Sequence, residues 1–140
     1  MSFFHKPGTA SADYLSGVAF FEGFSDDELK RVAALSSQRE VAAGSTVIDQ
    51  GDAGLECFVI VEGTVSVYVA SEHIATLQAG SMMGEMALVD HRPRSASVVA
   101  DGPVKLLSFD APHFKKLLEE MPKASERVMN LLTARMQRRN

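Results

Sequence analysis

Residues 57–69 read CFVIVEGTVSVYV, and two adjacent β-strands are predicted within this stretch. Residues 57–61 are continuously apolar, as expected of a well-buried strand. Residues 64–69 alternate, so that their valines fall on one face of a strand. Glu62 and Gly63 separate the two runs and predict a tight hairpin. The stretch therefore indicates a β-rich fold.

Further short strands are predicted on both sides of this stretch. The last of them covers residues 104–109. Many short strands at this spacing predict an antiparallel jelly-roll β-barrel, or double-stranded β-helix, over residues 38–110. The glycines that separate the strands, often beside Asp or Ser, are Gly44, Gly51, Gly54, Gly80 and Gly102.

Helices are predicted before and after the strands. Ser25 and Glu28 match a capping box, which starts a helix within residues 1–37. Asp110 is a good N-cap with Pro112 in the first turn, and Pro122 begins a second helix within residues 111–140. We therefore predict a mainly β fold with an N-terminal helix and two C-terminal helices, as one domain over residues 1–140.

Composition limits the classes of protein to which this chain can belong. Its 140 residues suit one domain, and its net charge of −4 argues against nucleic-acid binding. Cys57 is the only cysteine, which excludes an internal disulfide and favours a reducing compartment. No apolar run approaches the roughly 20 residues that span a bilayer. The first residues lack the apolar core of a signal peptide. A cytoplasmic location without membrane insertion is expected.

Residues 80–98, GSMMGEMALVDHRPRSASV, interrupt the strand pattern. A turn that opens a short helix leaves free backbone N–H groups, which together with the helix dipole bind anions. Arg94 follows Glu85 by nine positions (94 − 85 = 9), at the start of an apolar strand. An arginine at the edge of a core needs an anionic partner, and its planar fork suits two oxygens of one phosphate.

This segment resembles the phosphate-binding cassette of the cyclic nucleotide-binding domain family, with GE-x-AL at 84–88 and PRSASV at 93–98. That family includes regulatory subunits of cyclic-nucleotide-dependent kinases, cyclic-nucleotide-gated channels and the bacterial catabolite activator protein. The resemblance extends over nearly the whole chain, with the cassette at residues 80–97. It implies a regulatory module whose ligand is cAMP or cGMP and which needs no other cofactor.

The resemblance also implies roles for individual residues. Glu85 should accept a hydrogen bond from the ribose 2′-hydroxyl, and Arg94 should neutralise the cyclic phosphate. Backbone groups near Gly84, Met86 and Ala87 should donate to phosphate oxygens. The Ser95 hydroxyl should donate to the phosphate or the base. Because Ser95 matches members that respond to either nucleotide, the base preference stays open, with cAMP slightly favoured.

The last helix should close over the base as a lid and transmit the signal, to an effector protein or to a second copy of the chain. Met83 stands where many family members have Phe, which changes the expected shape of the base pocket. The lid helix carries an apolar stripe that begins at Val128. The residues proposed to contact the base from this helix are Leu131, Leu132, Arg135 and Met136.

Three alternatives compete with this interpretation. An enzyme is not expected, since the four histidines are scattered and no nucleophile–base pair or metal-ligand set is evident. A DNA-binding regulator is not expected, because no residues for a recognition helix follow the lid helix in this sequence. The third alternative is a degenerate sensor of the same fold that reads another ligand or only a protein partner. Such relatives usually lack the Glu or the Arg of the motif, and this sequence has both. A separate possibility is that Glu85 and Arg94 pair only with each other, as a salt bridge without a ligand.

Overall fold

The computed structural model describes Leu15, residues 21–84 and residues 93–139; from residue 131 onwards it describes the backbone and the side chain of Thr133. Within these residues the helices are α1 (Asp26–Leu35), α2 (Ala111–Glu120) and α3 (Pro122–Arg139). The strands are β1 (Ser37–Val41), β2 (Thr46–Ile48), β3 (Glu56–Glu62), β4 (Thr64–Val69), β5 (Glu72–Gln78), β6 (Met82–Met83), β7 (Ser97–Ala100) and β8 (Val104–Asp110).

The strands form two four-stranded antiparallel sheets. One, the helix-side sheet, has the order β1-β8-β3-β6, and the other, the outer sheet, has the order β2-β7-β4-β5. Apolar side chains from both sheets meet in an inter-sheet cluster that includes Ile48, Phe58, Val65, Val98 and Leu106. The prediction of a mainly β, antiparallel fold with flanking helices is confirmed. A closed barrel is not, because the described strands form an open sandwich of two separate sheets.

The predicted hairpin at Glu62-Gly63 is wrong. Strand β3 pairs with β6 and β8, whereas β4 pairs with β5 and β7, so the chain passes at Gly63 from one sheet to the other. Gly63 has φ of 97°, and a Cβ there would lie 2.6 Å from the carbonyl oxygen of Pro103. Glycine therefore fits this crossing, where any side chain would meet the neighbouring backbone.

The three helices cover the opposite face of the helix-side sheet. Their starts are as predicted: Ser25 and Glu28 form both bonds of the capping box, and Asp110 Oδ1 accepts from the backbone N–H of His113 at 2.9 Å. The buried side chains of this helix-side cluster include Val32, Leu35, Cys57, Leu107, Phe109, Phe114, Leu117, Ala124 and Val128. None of the described helices combines the length and the apolar character needed to cross a bilayer.

The beginning of α3 is attached to the segment before α1. Lys123 Nζ donates to the carbonyl of Gly23 and to Glu28 Oε1, both at 2.9 Å, and Arg127 donates to the carbonyl of Glu22. Both cations also lie over the ring of Phe24, at 5.9 and 5.4 Å. Val128, the predicted start of the lid stripe, is buried in the helix-side cluster. The first two turns of α3 thus belong to the helical layer.

Candidate anion site at the end of the helix-side sheet

The backbone of Arg94 is held by the loop that joins β2 to β3. The Arg94 N–H donates to the carbonyl of Asp52, and the Gly51 N–H donates to the carbonyl of Arg94, both at 2.8 Å. One residue earlier in the loop, the Gln50 N–H donates to Ser97 Oγ at 2.9 Å. This loop therefore fixes the chain that enters β7, and it leads directly to Glu56 at the start of β3.

The side chain of Arg94 is buried, with 8% of the residue exposed. Its Nη1 donates to the carbonyl oxygen of Gly84 at 2.8 Å, and its Nη2 donates to the carbonyl oxygen of Glu56. Strand β6 ends at Met83, so the guanidinium lies where the pairing of β6 with β3 stops. It therefore bridges the two strand ends and is held in one orientation.

Gly84 provides the space that this arrangement needs. Its φ is 83°, a backbone conformation that residues other than glycine rarely adopt. A Cβ at this position would lie 2.5 Å from Arg94 Nη1 and 3.2 Å from the carbonyl oxygen of Glu56. The glycine of the motif is therefore required both by the backbone conformation and by the close approach of the guanidinium.

The electrostatic character of the site follows from this placement. The two contacts with the carbonyl oxygens of Gly84 and Glu56 orient the Arg94 guanidinium. A buried cation favours an anion beside it, because removing charge from water is costly. Arginine has five N–H donors in a plane, which lets one side chain hold backbone carbonyls and a bidentate anion together. The arrangement suits an oxyanion such as a phosphate.

The structure brings two of the predicted site residues, Gly84 and Arg94, into direct contact. Ser95 follows Arg94 and is exposed. Met83 is buried in the inter-sheet cluster and pairs with Phe58, and its contact with a base stays a prediction. The predicted ligand contacts of Glu85, Met86 and Ala87 lie outside the described residues. The same holds for the side chains of the proposed lid residues of α3, Leu131, Leu132, Arg135 and Met136.

Two residues near the site were not identified from the sequence. Glu56 holds Arg94 through its backbone carbonyl, and its carboxylate is held by Arg39 Nη2 at 2.9 and 2.8 Å. A backbone contact depends on where a residue lies and not on its side chain, so composition carries no signal for it. The one signal in the sequence is a charged residue immediately before the apolar run 57–61.

No group of three or more His, Cys, Asp or Glu residues in the described part of the chain is arranged to hold a metal ion. Cys57 is buried mid-strand in β3. The prediction that the domain has no metal stays a prediction for the chain as a whole.

The fold is a sandwich of two sheets with flanking helices, and the buried Arg94 at the strand ends forms a candidate anion site. A sequence model of the cyclic nucleotide-binding domain matches residues 38–121, which is 84 of the 140 residues (121 − 38 + 1 = 84). The chain belongs to the cyclic nucleotide-binding domain family.

Three known proteins are similar to this chain. A cyclic nucleotide-gated potassium channel of Rhizobium etli is 35% identical over 114 residues, which cover 81% of this chain and 32% of the channel. Glutaminase 1 of Bradyrhizobium diazoefficiens is 38% identical over 114 residues, covering 79% of this chain and 18% of that protein. The structure of Thermus thermophilus catabolite activator protein has a TM-score of 0.78 at 26% identity, over 86% of this chain and 59% of that one. The chain thus spans a third or less of the two curated relatives.

Proposed function

We propose that this domain is a regulatory sensor that binds cAMP or cGMP, with cAMP favoured, and has no catalytic activity of its own. The observation that carries the proposal is the buried Arg94, whose guanidinium is oriented by the carbonyls of Gly84 and Glu56. A cyclic phosphodiester carries a single negative charge, which one guanidinium balances. The two exocyclic oxygens of the ring phosphate match its planar fork.

The segment that follows Gly84 completes the proposed site. Backbone groups of Gly84, Met86 and Ala87 would donate to the phosphate, and Glu85 would accept from the ribose 2′-hydroxyl. Ser95 is exposed next to Arg94, and its hydroxyl would donate to the phosphate or the base. The preference for cAMP rests on the likeness of Ser95 to the serine of cAMP-responsive bacterial members.

The proposed output is a movement of the distal part of α3 towards an effector protein or a second copy of the chain, without DNA binding by the domain itself. The first two turns of α3 are anchored by Ala124 and Val128 in the helix-side cluster. A movement is therefore proposed for residues 129–139 only. The two curated relatives are longer than this chain. The proposed effector therefore includes the case of another part of the same polypeptide.

Calorimetric titration with cAMP, cGMP and 5′-AMP tests the proposal. Both cyclic nucleotides should bind, and at least about tenfold more tightly than 5′-AMP, whose additional charge must also be desolvated. Base selectivity should be modest, and a cGMP affinity more than about a thousandfold above that for cAMP would contradict both the modest selectivity and the preference for cAMP. No binding of either cyclic nucleotide at about 1 mM would favour the alternative, a sensor of the same fold that reads another ligand or only a protein partner.

A further inference from the structure

We propose that Arg39 is a positioning residue for the anion site, acting through Glu56 on the guanidinium of Arg94. The inference rests on the proposed function, because it names a residue that tunes nucleotide affinity without touching the nucleotide. The inference starts from the observation that two arginines bind Glu56, one at its side chain and one at its backbone. Its carboxylate accepts from Arg39 Nη2 at 2.9 and 2.8 Å, and its carbonyl accepts from Arg94 Nη2.

The backbone of Glu56 is paired with a neighbouring strand on one side only. It is the first residue of β3 and pairs with Asp110 of β8. On the other side, the described pairing with β6 covers only Phe58 and Val59. The side of Glu56 that faces away from β8 therefore meets the Arg94 guanidinium instead of a strand. A tether on the Glu56 side chain restricts the rotation of this strand end and so the direction of its carbonyl.

Arg39 is well placed to act as that tether. It lies in β1, which is separated from β3 by β8, so its side chain reaches across one strand to Glu56. Its guanidinium lies over the ring of Phe58, with Cζ 5.7 Å from the ring centroid. A guanidinium that stacks on a ring loses less freedom when it binds a carboxylate, because the ring already limits its orientations. The ion pair is part-buried and thus less screened than a fully exposed one.

Two simpler roles for the Arg39–Glu56 pair predict different results. If the two residues acted on the phosphate only by their charges, removing the positive charge would weaken binding and removing the negative charge would strengthen it. If the pair only stabilised the sheet, both changes would lower the melting temperature and leave the affinity unchanged. Positioning predicts that both changes weaken binding, since either one releases the same carbonyl.

The first experiment measures cAMP affinity by calorimetry at low ionic strength for Arg39→Gln, Glu56→Gln and the double variant. Each single change should weaken binding by about 1.5- to 5-fold, the range for a partly exposed ion pair. The double variant should be no weaker than the worse single variant, because the two residues act as one unit. Arg31→Gln is the matched control. It breaks a similar two-bond pair, Arg31–Glu120 at 2.6 and 2.7 Å, which joins α1 to α2 away from the strand ends, and should leave the affinity unchanged.

The second experiment needs no nucleotide and therefore separates this inference from the proposed function. In the 15N-labelled, ligand-free protein, the guanidinium resonances of Arg94 report its hydrogen bonds and are assigned with Arg94→Lys. Arg39→Gln and Glu56→Gln should both shift these resonances, and Arg31→Gln should not. Unchanged Arg94 resonances in both variants overturn the inference, whether or not the wild type binds cAMP. A tighter-binding Glu56→Gln, or unchanged affinities in a wild type that binds, would also overturn it.

Discussion

Nη1 of Arg94 donates to the carbonyl oxygen of Gly84 at 2.8 Å, and the space for this contact exists because residue 84 has no side chain. The glycine thus does two things at once: it adopts φ of 83°, and it lets the guanidinium approach the strand end. The two roles are separable by experiment, because Gly44 adopts nearly the same conformation, φ of 81°, and a Cβ added there would have no atom within 4 Å.

Gly84→Ala should weaken cyclic nucleotide binding by about tenfold or more, because the new Cβ would displace the guanidinium. It should also lower the free energy of unfolding by about 1–2 kcal/mol, the cost of a left-handed conformation with a side chain. Gly44→Ala should show a similar loss of stability with unchanged affinity. Calorimetric titration and thermal unfolding measure both quantities, and equal affinity losses in the two variants would contradict the contact-based explanation.

Arg94→Ala should weaken cAMP binding by about 30-fold to a few thousandfold, corresponding to roughly 2–5 kcal/mol for truncating one member of a desolvated charge pair. Arg94→Lys should also lose affinity, since an ammonium cannot hold both the strand-end carbonyls and two phosphate oxygens. Circular dichroism checks that the variants are folded. An Arg94→Ala protein that binds within about twofold of the wild type would remove Arg94 from the phosphate site.

Glu85→Gln should weaken cAMP binding by about 1 kcal/mol or more, because the amide keeps an acceptor but loses the charge. The analogue 2′-deoxy-cAMP should bind the wild type weakly and lose little further affinity in the variant, since the hydroxyl that Glu85 would read is absent. Calorimetric titration of cAMP and 2′-deoxy-cAMP into the wild type and into Glu85→Gln measures the four affinities that this comparison needs. Equal affinity of the wild type for cAMP and its deoxy analogue would show that Glu85 does not bind the ribose.

Hydrogen exchange along α3 should divide the helix into two parts. Residues 125–128 should be protected with or without nucleotide, because Ala124 and Val128 are buried and Lys123 and Arg127 bind the segment before α1. Residues 129–139 should gain protection only when the nucleotide is bound. A ligand shifts a helix between two conformations only if it binds one of them more tightly than the other. Helix α2 serves as the internal control. Unchanged exchange at 129–139, with new protection at 84–95, would mean that α3 is not the output.

Acid should weaken the contacts between the helices. The hydrogen-bonded guanidinium of Arg31 lowers the pKa of Glu120 below its usual value of 4.5, and the Ser25 backbone N–H, followed by Lys123, lowers the pKa of Glu28. A carboxyl whose pKa is lower in the folded state stabilises the fold when the pH lies above its unfolded-state pKa. This stabilisation is lost as the pH falls through its folded-state pKa.

Glu120→Gln should therefore have a lower melting temperature than the wild type at pH 7, and the difference should disappear as the pH falls below 4.5 and through the folded-state pKa of Glu120. Melting curves across this range measure the effect. Glu119→Gln, a neighbouring exposed position on α2, is the control and should follow the wild type throughout. A Glu120→Gln difference that stays constant with pH would exclude this linkage.

Local features of the fold were determined by the sequence itself. The Ser25–Glu28 capping box and the Asp110 N-cap are made by residues three positions apart, so their hydrogen bonds need nothing beyond the local chain. The strand character of 57–61 and 64–69 also follows from local patterning. The family resemblance and the choice of Gly84 and Arg94 as site residues follow from a short motif at a specific spacing.

Only the tertiary structure decided which strands pair and what surrounds the site. The alternation of residues 64–69 determines which side chains share a face, but it is compatible with any pairing partner, so the crossing at Gly63 has the local pattern of a hairpin. The roles of Glu56 and Arg39 arise from the order β1-β8-β3-β6, which joins residues far apart in the chain. Such contacts depend on how the sheets assemble, and a backbone carbonyl that holds Arg94 leaves no trace in residue type.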